Sequence, residues 1–177
     1  IKNLAMYPLN DTSLVNGEAK PVFIPLKKSG ANYAMAKPQK LSASGVVGFG
    51  IEAIDKLNGA NNRCGVYNIT LTADSSTIYA HQMDAISFEN TRFINTHVDF
   101  YETKKNKRRI QKSFLTTYNK LRIYKNVQNQ GKVYFSKYGH ELHYSITDAH
   151  GNNSNFYFNV AVDSTSQKPL VELDSLP

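Results

Sequence analysis

The chain has 177 residues and a formal charge of +7 at neutral pH, with a sequence pI near 9.4. A chain of this length forms one domain, or one domain with an added segment, and can bury a substantial core. Its sequence contains no run near the roughly 18 apolar residues of a membrane-spanning helix, and Cys64, the single cysteine, excludes an intrachain disulfide. The charge permits a polyanionic partner without requiring one.

Four prolines interrupt the first 38 residues: Pro8, Pro21, Pro25 and Pro38. Each proline removes a backbone hydrogen-bond donor, so short extended pieces are favoured here over a regular central strand. We predict an extended N-terminal arm over residues 1–38 that packs on the main domain. Within it, residues 21–26 fit an edge strand, and residues 10–13 fit a turn or a short helix cap.

The next stretch, residues 44–95, contains two apolar runs at residues 46–54 and 65–73. Glycines punctuate the first run, while β-branched and aromatic residues dominate the second, and both patterns favour strands. In the second run, alternate residues from Tyr67 to Ala73 are apolar, which is the period of a half-buried strand. We predict a β-ribbon of these two runs, followed by a third strand at residues 77–83 after a tight turn.

The middle of the chain is less regular. Residues 87–101 fit neither the helical nor the strand period, and we interpret them as a long connection with a helical turn near residues 90–95. Residues 104–109 form a basic loop that is too polar to be buried. Short strands are predicted at residues 121–124 and 132–135, on either side of a turn around Gly131.

The last clear unit is a β-hairpin. Alternate residues are apolar over 142–147 and again over 156–162, and a turn-rich segment joins the two runs. Several short strands with frequent turns predict an all-β protein, an antiparallel β-sandwich of immunoglobulin-like or jelly-roll-like form. The predicted organisation is an arm over residues 1–38, a sandwich domain over 39–163 and a linker or tail over 164–177.

Five histidines are the first candidates for metal or acid–base chemistry: His81, His97, His140, His143 and His150. No second ligand type with metal spacing accompanies them, so we interpret them as surface or hydrogen-bonded histidines. Cys64 fits a small buried thiol better than a nucleophile. The segment from Asp148 to Asn152 lacks the alternating oxygen ligands of a calcium loop and fits a hairpin turn.

Two groups of charged residues are candidates for ligand binding. The basic loop, with Tyr101 beside it, could contact an anionic glycan, an acidic peptide or nucleic acid, and a solvated loop is the alternative. Charged side chains in apolar company are rarely unpaired, so Arg92, Asp99 and Arg109 predict a structural salt bridge that fixes the long connection to the sandwich, with a ligand clamp as the alternative. The candidate ligand-binding residues are Arg92, Asp99, Tyr101, Arg108 and Arg109. No catalytic or metal-ligating residue is predicted.

Several short motifs together resemble a known family. They are Gly48-Phe49-Gly50-Ile51-Glu52 with Asp55, Cys64-Gly65-Val66-Tyr67, Phe88-Glu89-Asn90-Thr91-Arg92-Phe93-Ile94-Asn95 with Asp99, and Asp148 with Gly151-Asn152. In combination, from about Pro8 to Val162, they resemble the region that follows the catalytic domain in M23-family metallopeptidases of the Bacteroidetes type. In that family the catalytic domain is a zinc endopeptidase that cuts peptidoglycan cross-links, and the following region is a non-catalytic β-rich domain.

The resemblance implies an exported protein of the periplasm or cell envelope, and a piece of a longer chain. The M23 zinc site uses His-x-x-x-Asp and a separate His-x-His. Here His81 and Asp84 are one residue too close, and His140 and His143 would point to opposite faces of a strand. We therefore expect no catalysis and no cofactor in this chain, the zinc belonging to the parent's catalytic domain.

The expected role is an accessory or scaffolding domain that positions the catalytic domain of the same parent chain or contacts peptidoglycan or another anionic glycan. A stand-alone carbohydrate-binding module is the alternative, and a row of coplanar, solvent-facing tyrosine rings would support it. An enzyme with an unrecognised site is a third possibility, which needs converging polar groups of shifted pKa. Nucleic-acid binding ranks below these, because no recognised nucleic-acid motif accompanies the basic residues.

Overall fold

The computed structural model describes residues 1–56, 63–64, 66–84 and 93–163. Within these residues the backbone forms fourteen strands and two short α-helices. The strands are β1 (Asn3–Pro8), β2 (Leu14–Val15), β3 (Val22–Ser29), β4 (Asn32–Met35), β5 (Leu41–Glu52), β6 (Asp55–Lys56), β7 (Arg63–Cys64), β8 (Asn68–Ala73), β9 (Ser76–Gln82), β10 (Gln111–Lys112), β11 (Tyr124–Val127), β12 (Val133–Phe135), β13 (His140–Thr147) and β14 (Asn153–Val162). The helices are α1 (Ile94–His97) and α2 (Phe100–Asn106), and a 3-10 turn covers Asn129–Gly131.

Twelve of these strands form one sheet. Its main path runs β10-β5-β1-β3-β4-β14-β13-β8-β9-β11, with β2 and β12 also paired to β5. A parallel pairing of β14 with β5, from Val160↔Leu41 to Val162↔Ala43, closes β5, β1, β3, β4 and β14 into a five-stranded barrel. The prediction of an all-β, mainly antiparallel fold is confirmed. The sandwich form stays a prediction, because the pairing described here is one continuous sheet that closes on itself.

The core follows the strand period of the sequence. Alternate residues of β13 and β14 are buried: Leu142, Tyr144, Ile146, Phe156, Phe158 and Val160. The two strands pair antiparallel with Tyr144 opposite Phe156, so the predicted hairpin is confirmed. From β5, Phe49 packs against this hairpin, with its ring centroid 5.8 Å from that of Phe158. The aromatic side chains of the hairpin therefore join the barrel to the rest of the sheet.

The N-terminal region belongs to this sheet. β1 lies between β5 and β3, and three of its residues have no exposed surface: Leu4, Ala5 and Met6. The prediction of an edge strand at residues 21–26 is wrong, because β3 lies between β1 and β4. Pro25 is tolerated there since β3 pairs with β1 up to Pro25 and with β4 from the next residue onward. The Pro25 carbonyl still accepts a hydrogen bond, from the Ala36 N–H at 2.8 Å.

The predicted ribbon is only partly correct. Among the described strands β5 does not pair with β8, whose partners are β9 and β13. A two-residue ribbon of β6 and β7 lies between them in the sequence. The apolar alternation of β8 is confirmed, as is the hairpin to β9, whose turn residues Asp74 and Ser75 have φ of 48° and 69°. Two positive φ values are the mark of a tight hairpin turn that matches the strand twist.

Two glycines of β5 determine where the segment after α2 can lie. A Cβ at Gly48 would lie 2.5 Å from Phe114 Cδ1, and one at Gly50 would lie 2.8 Å from Ile110 Cγ2. Ile110 and Phe114 form a second, smaller core with Ala5 and Tyr7 of β1. Gly48 and Gly50 thus leave room on β5 for Ile110 and Phe114. This room allows the chain to return to the sheet after α2 and to pair β10 with β5.

The middle of the chain differs from its prediction in two places. Residues 104–109 were predicted as a loop, but the first three of them are helical and end α2. The strand predicted at residues 121–124 begins only at Tyr124, whereas the one at residues 132–135 is confirmed as β12. Half of the helical turn predicted near residues 90–95, namely residues 90–92, lies outside the described residues, and α1 begins at Ile94.

Candidate functional site

Asp99 is the N-cap of α2 and joins the helix to the barrel. Its carboxylate accepts a hydrogen bond from the Glu102 N–H at 3.0 Å, which satisfies a free donor of the first turn. The other carboxylate oxygen accepts a hydrogen bond from the Tyr7 hydroxyl at 2.9 Å. Burial and the Asp99 charge raise the pKa of Tyr7, so this hydroxyl stays protonated and donates. The salt bridge predicted near the long connection stays a prediction, because Arg92 lies outside the described residues.

A second set of contacts joins Glu102 to residues at the C-terminal end of the helix. Glu102 is buried, and its carboxylate accepts hydrogen bonds from Asn106 Nδ2 at 2.9 and 3.0 Å and from Arg108 Nη1 at 3.3 Å. Lys107 has φ of 58°, a left-handed conformation that ends the helix and turns the chain back toward it. The Arg108 guanidinium then lies 5.0 Å from the centre of the Phe23 ring. Arg108 is thus held by β3 and by α2.

The opposite side of the helix faces solvent. We call its exposed aromatic and cationic residues the α2 surface: Phe100, Tyr101, Lys104, Lys105, Lys107 and Arg109. Phe100 is 50% exposed and Tyr101 is 62% exposed, which is unusual for rings of this size. Lys104 Nζ lies 5.4 Å from the Phe100 ring centre, and Lys105 Nζ lies 5.2 Å from that of Tyr101. These cation–π contacts hold two positive charges beside two exposed rings.

Lys105 has a further contact in this surface. Its ammonium donates a hydrogen bond to the Tyr101 hydroxyl at 2.7 Å, and this bond raises the pKa of Lys105. The side chain is therefore positively charged throughout the neutral range. The α2 surface presents fixed cations and flat apolar rings together, which suits a ligand that carries carboxylates next to apolar groups.

The predicted ligand-binding residues divide into two kinds. Asp99 and Arg108 face the protein and hold α2 in place, whereas Tyr101 and Arg109 are exposed on the α2 surface. Arg92 lies outside the described residues. Sequence reasoning missed Phe100. The signal for it is a spacing of four residues, from Phe100 to Lys104 and from Tyr101 to Lys105, which places each ring and its lysine on one helical face.

Sequence reasoning also missed a buried histidine pair. His81 of β9 and His97 of α1 are essentially inaccessible, and their ring centroids are 4.7 Å apart. The Nδ1 atom of His81 is hydrogen-bonded to the Tyr79 hydroxyl at 3.0 Å. Its Nε2 atom has no hydrogen-bond partner among the described side chains. Burial lowers the pKa of His81 well below its usual value and that of His97 to about 4, so both are neutral at pH 7.

The other three histidines are accessible. His140 contacts the Asp74 carboxylate, His143 is stacked on Tyr157, and His150 is exposed in the turn of the last hairpin. In that turn one oxygen of Asp148 accepts from the N–H groups of His150 and Asn152, as the turn interpretation requires. Over the described part of the chain, no group of three or more His, Cys, Asp or Glu side chains is placed to hold a metal ion.

Neither helix in the described ranges has the length and apolar character that crossing a membrane requires. Comparison of the sequence with protein-family models, with curated proteins and with solved structures gave no significant match.

Proposed function

We propose that this chain is a non-catalytic accessory module of an exported, cell-envelope peptidoglycan metalloendopeptidase, and that it contacts cell-wall material through the α2 surface. Two supports carry the proposal. One is the resemblance of the sequence motifs to the region that follows the catalytic domain in M23-family metallopeptidases. The other is the α2 surface itself, with its four cations and two exposed rings. In this proposal zinc and peptide cleavage belong to the catalytic domain of the same parent chain.

The chemistry of the α2 surface suits wall material. The peptides of a cell wall carry carboxylates, and its glycans carry apolar C–H faces, so cations next to rings meet both. Contacts within the surface already restrict Lys104 and Lys105, which reduces the conformational entropy that binding would cost. Exposed charges act over a Debye length of roughly 8 Å at physiological salt, so such binding weakens as salt is added.

Retention of the chain on purified peptidoglycan sacculi tests this proposal. The variant Lys104→Ala/Lys105→Ala/Arg109→Ala removes three cations of the α2 surface and leaves Arg108 and its contact to Glu102 intact. The matched control, Lys27→Ala/Lys28→Ala/Lys137→Ala, removes the same charge from exposed positions elsewhere. We expect about tenfold weaker retention for the first variant and near-normal retention for the control.

Equal loss in both variants would show attraction by net charge alone and would contradict a specific surface. No retention of the unmodified chain at low salt would overturn wall contact. It would leave a scaffold that positions the parent's catalytic domain as the better account.

A further inference from the structure

The outward side of the last hairpin carries a second surface. We call it the outer polar face, and it consists of alternate residues of β8, β13 and β14: Thr70, Thr72, Glu141, His143, Ser145, Asn155, Tyr157 and Asn159. Each of these side chains is exposed or partly exposed, because the intervening residues point into the core. Hydroxyl and amide groups dominate this face, and Glu141 is its one carboxylic side chain.

Tyr157 and His143 are stacked face to face in the middle of the outer polar face, and we call the Tyr157 ring, which this stack holds, the platform. They are directly opposite each other in the β13–β14 register. Their rings are 4.1 Å apart between centroids and only 4° from parallel. The His143 ring is itself held by a hydrogen bond of 2.9 Å between Nε2 and the Asn155 side-chain oxygen. The Tyr157 ring is 61% exposed, so its face on the side away from His143 is offered to solvent.

Depressions lie on both sides of this platform. One, of about 440 Å³, is lined by Thr72, Ser75, Glu141, His143, Tyr157 and Asn159 among others. The other, of about 510 Å³, includes Met35, Gln39, Lys40, Tyr157, Asn159 and Ala161. Both volumes lie in the range of small-molecule sites. Tyr157 borders both depressions. An extended ligand made of linked rings can therefore lie across Tyr157, with one ring on the platform and another in each depression.

The chemistry of the face selects the ligand class. An aromatic ring with a negative π face attracts the C–H face of a pyranose ring, and hydroxyl and amide side chains at its edge match sugar hydroxyls. The depressions add one acidic residue, Glu141, and one basic residue, Lys40, so neither sign of charge dominates. A nucleic-acid strand would need a positively charged groove alongside the stacking ring.

We infer that Tyr157, held in place by the stacked His143, is the central platform of a binding site for an uncharged pyranose oligosaccharide. This site goes beyond the proposed function, since it is on different strands from the α2 surface and requires none of its cations. Tyr157 would stack on the central sugar, and His143 would position the tyrosine ring from its other face.

The test uses the full chain, chitohexaose as the uncharged probe, and two-dimensional ¹H–¹⁵N NMR with isothermal titration calorimetry. We expect shift changes confined to β8, β13, β14 and the rim of the two depressions. Binding should be unchanged between about 50 and about 500 mM salt, because no net charge is involved. Tyr157→Thr, which keeps a strand-forming residue and removes the ring, should weaken binding about tenfold, whereas Tyr157→Phe should retain it.

Tyr138, which is 78% exposed in the β12–β13 loop, provides the matched control, and Tyr138→Thr should bind normally. Equal binding by Tyr157→Thr and the unmodified chain would overturn the inference. So would the absence of shift changes at millimolar chitohexaose and cellohexaose. Loss of retention in Lys104→Ala/Lys105→Ala/Arg109→Ala reports on the α2 surface, whereas loss of chitohexaose binding in Tyr157→Thr reports on the outer polar face. The two proposals can therefore fail separately.

Discussion

The α2 surface and the outer polar face are built in different ways. Helix α2 has only seven residues, too few to be stable alone, and it is held by side-chain contacts to β1 and β3. The outer polar face follows from the register of β8, β13 and β14, whose buried side chains fix which residues point outward. A few polar contacts therefore control the first surface, whereas the second can be lost only with the sheet itself.

This difference predicts where the molecule responds to a change in conditions. Polar contacts and buried titratable groups lie around α1 and α2, including Asp99, Glu102 and the pair of His81 and His97. The described hairpin core is apolar and aromatic. Acidification, or replacement of these polar residues, should therefore loosen the α-helical region first and leave the hairpin in place.

The largest expected effect comes from acidification. The unfolded pKa of histidine is about 6.5, whereas burial, reinforced by the Lys112 charge and opposed by the Gln111 side chain, lowers that of His97 to about 4. The unfolded chain therefore binds more protons below pH 6.5, and stability is lost as the pH falls from about 6.5 toward 4. His97 alone should contribute a loss of about 3 kcal/mol at pH 4, and His81 adds to it.

Urea unfolding over a pH series, with hydrogen exchange at each pH, measures this loss. His97→Phe should reduce the pH dependence between pH 6.5 and 4.5 and leave the part due to His81, because an aromatic ring remains at position 97 but its titrating group is gone. His150→Phe, at an exposed turn position, is the control and should keep the full slope. Amides of α1 should exchange before those of β13. Equal slopes for all three proteins would show that the buried pair does not govern acid stability.

The next largest effect comes from the N-cap. Asp99→Ala removes the acceptor of the Glu102 N–H and leaves the buried Tyr7 hydroxyl without the partner that it has now. The two losses together should lower the free energy of unfolding by about 2 kcal/mol. Asp99→Asn keeps an acceptor oxygen for the Glu102 N–H and places an amide donor beside the Tyr7 hydroxyl oxygen, which can accept, so it should cost about half as much. Chemical denaturation of the three proteins gives the comparison. Similar values for the two variants would show that charge, and not capping, holds α2.

The elements that were predictable from the sequence have strong local patterns. The hairpin of β13 and β14 and that of β8 and β9 show the period of two over six or more residues, and their turns contain the expected residue types. The closure of the barrel was not predictable, because it pairs β14 with a strand that is far away in the sequence. Periodicity within a strand does not identify its neighbour.

The same limit applies to the sites. The exposed charges of residues 104–109 were identified, but the helix was not, because its cap depends on Tyr7 from the first strand. The alternation placed Tyr157 on the outer side of the hairpin, yet only the strand register shows that His143 is stacked on it. The contact between His81 and His97 joins β9 to α1, and no sequence spacing encodes it.

The smallest effect separates two adjacent arginines. Arg108→Ala removes the ion pair to Glu102 and the contact with Phe23, and leaves a buried carboxylate with Asn106 as its remaining side-chain donor. We expect a loss of about 1 kcal/mol, since Arg108 is itself partly exposed and solvent screens the pair. Arg109→Ala removes an exposed charge and should change stability by less than about 0.5 kcal/mol. Thermal unfolding measures both. If Arg109 proved the more costly residue, α2 would not be anchored by Glu102, and Arg108 would be free to belong to the α2 surface.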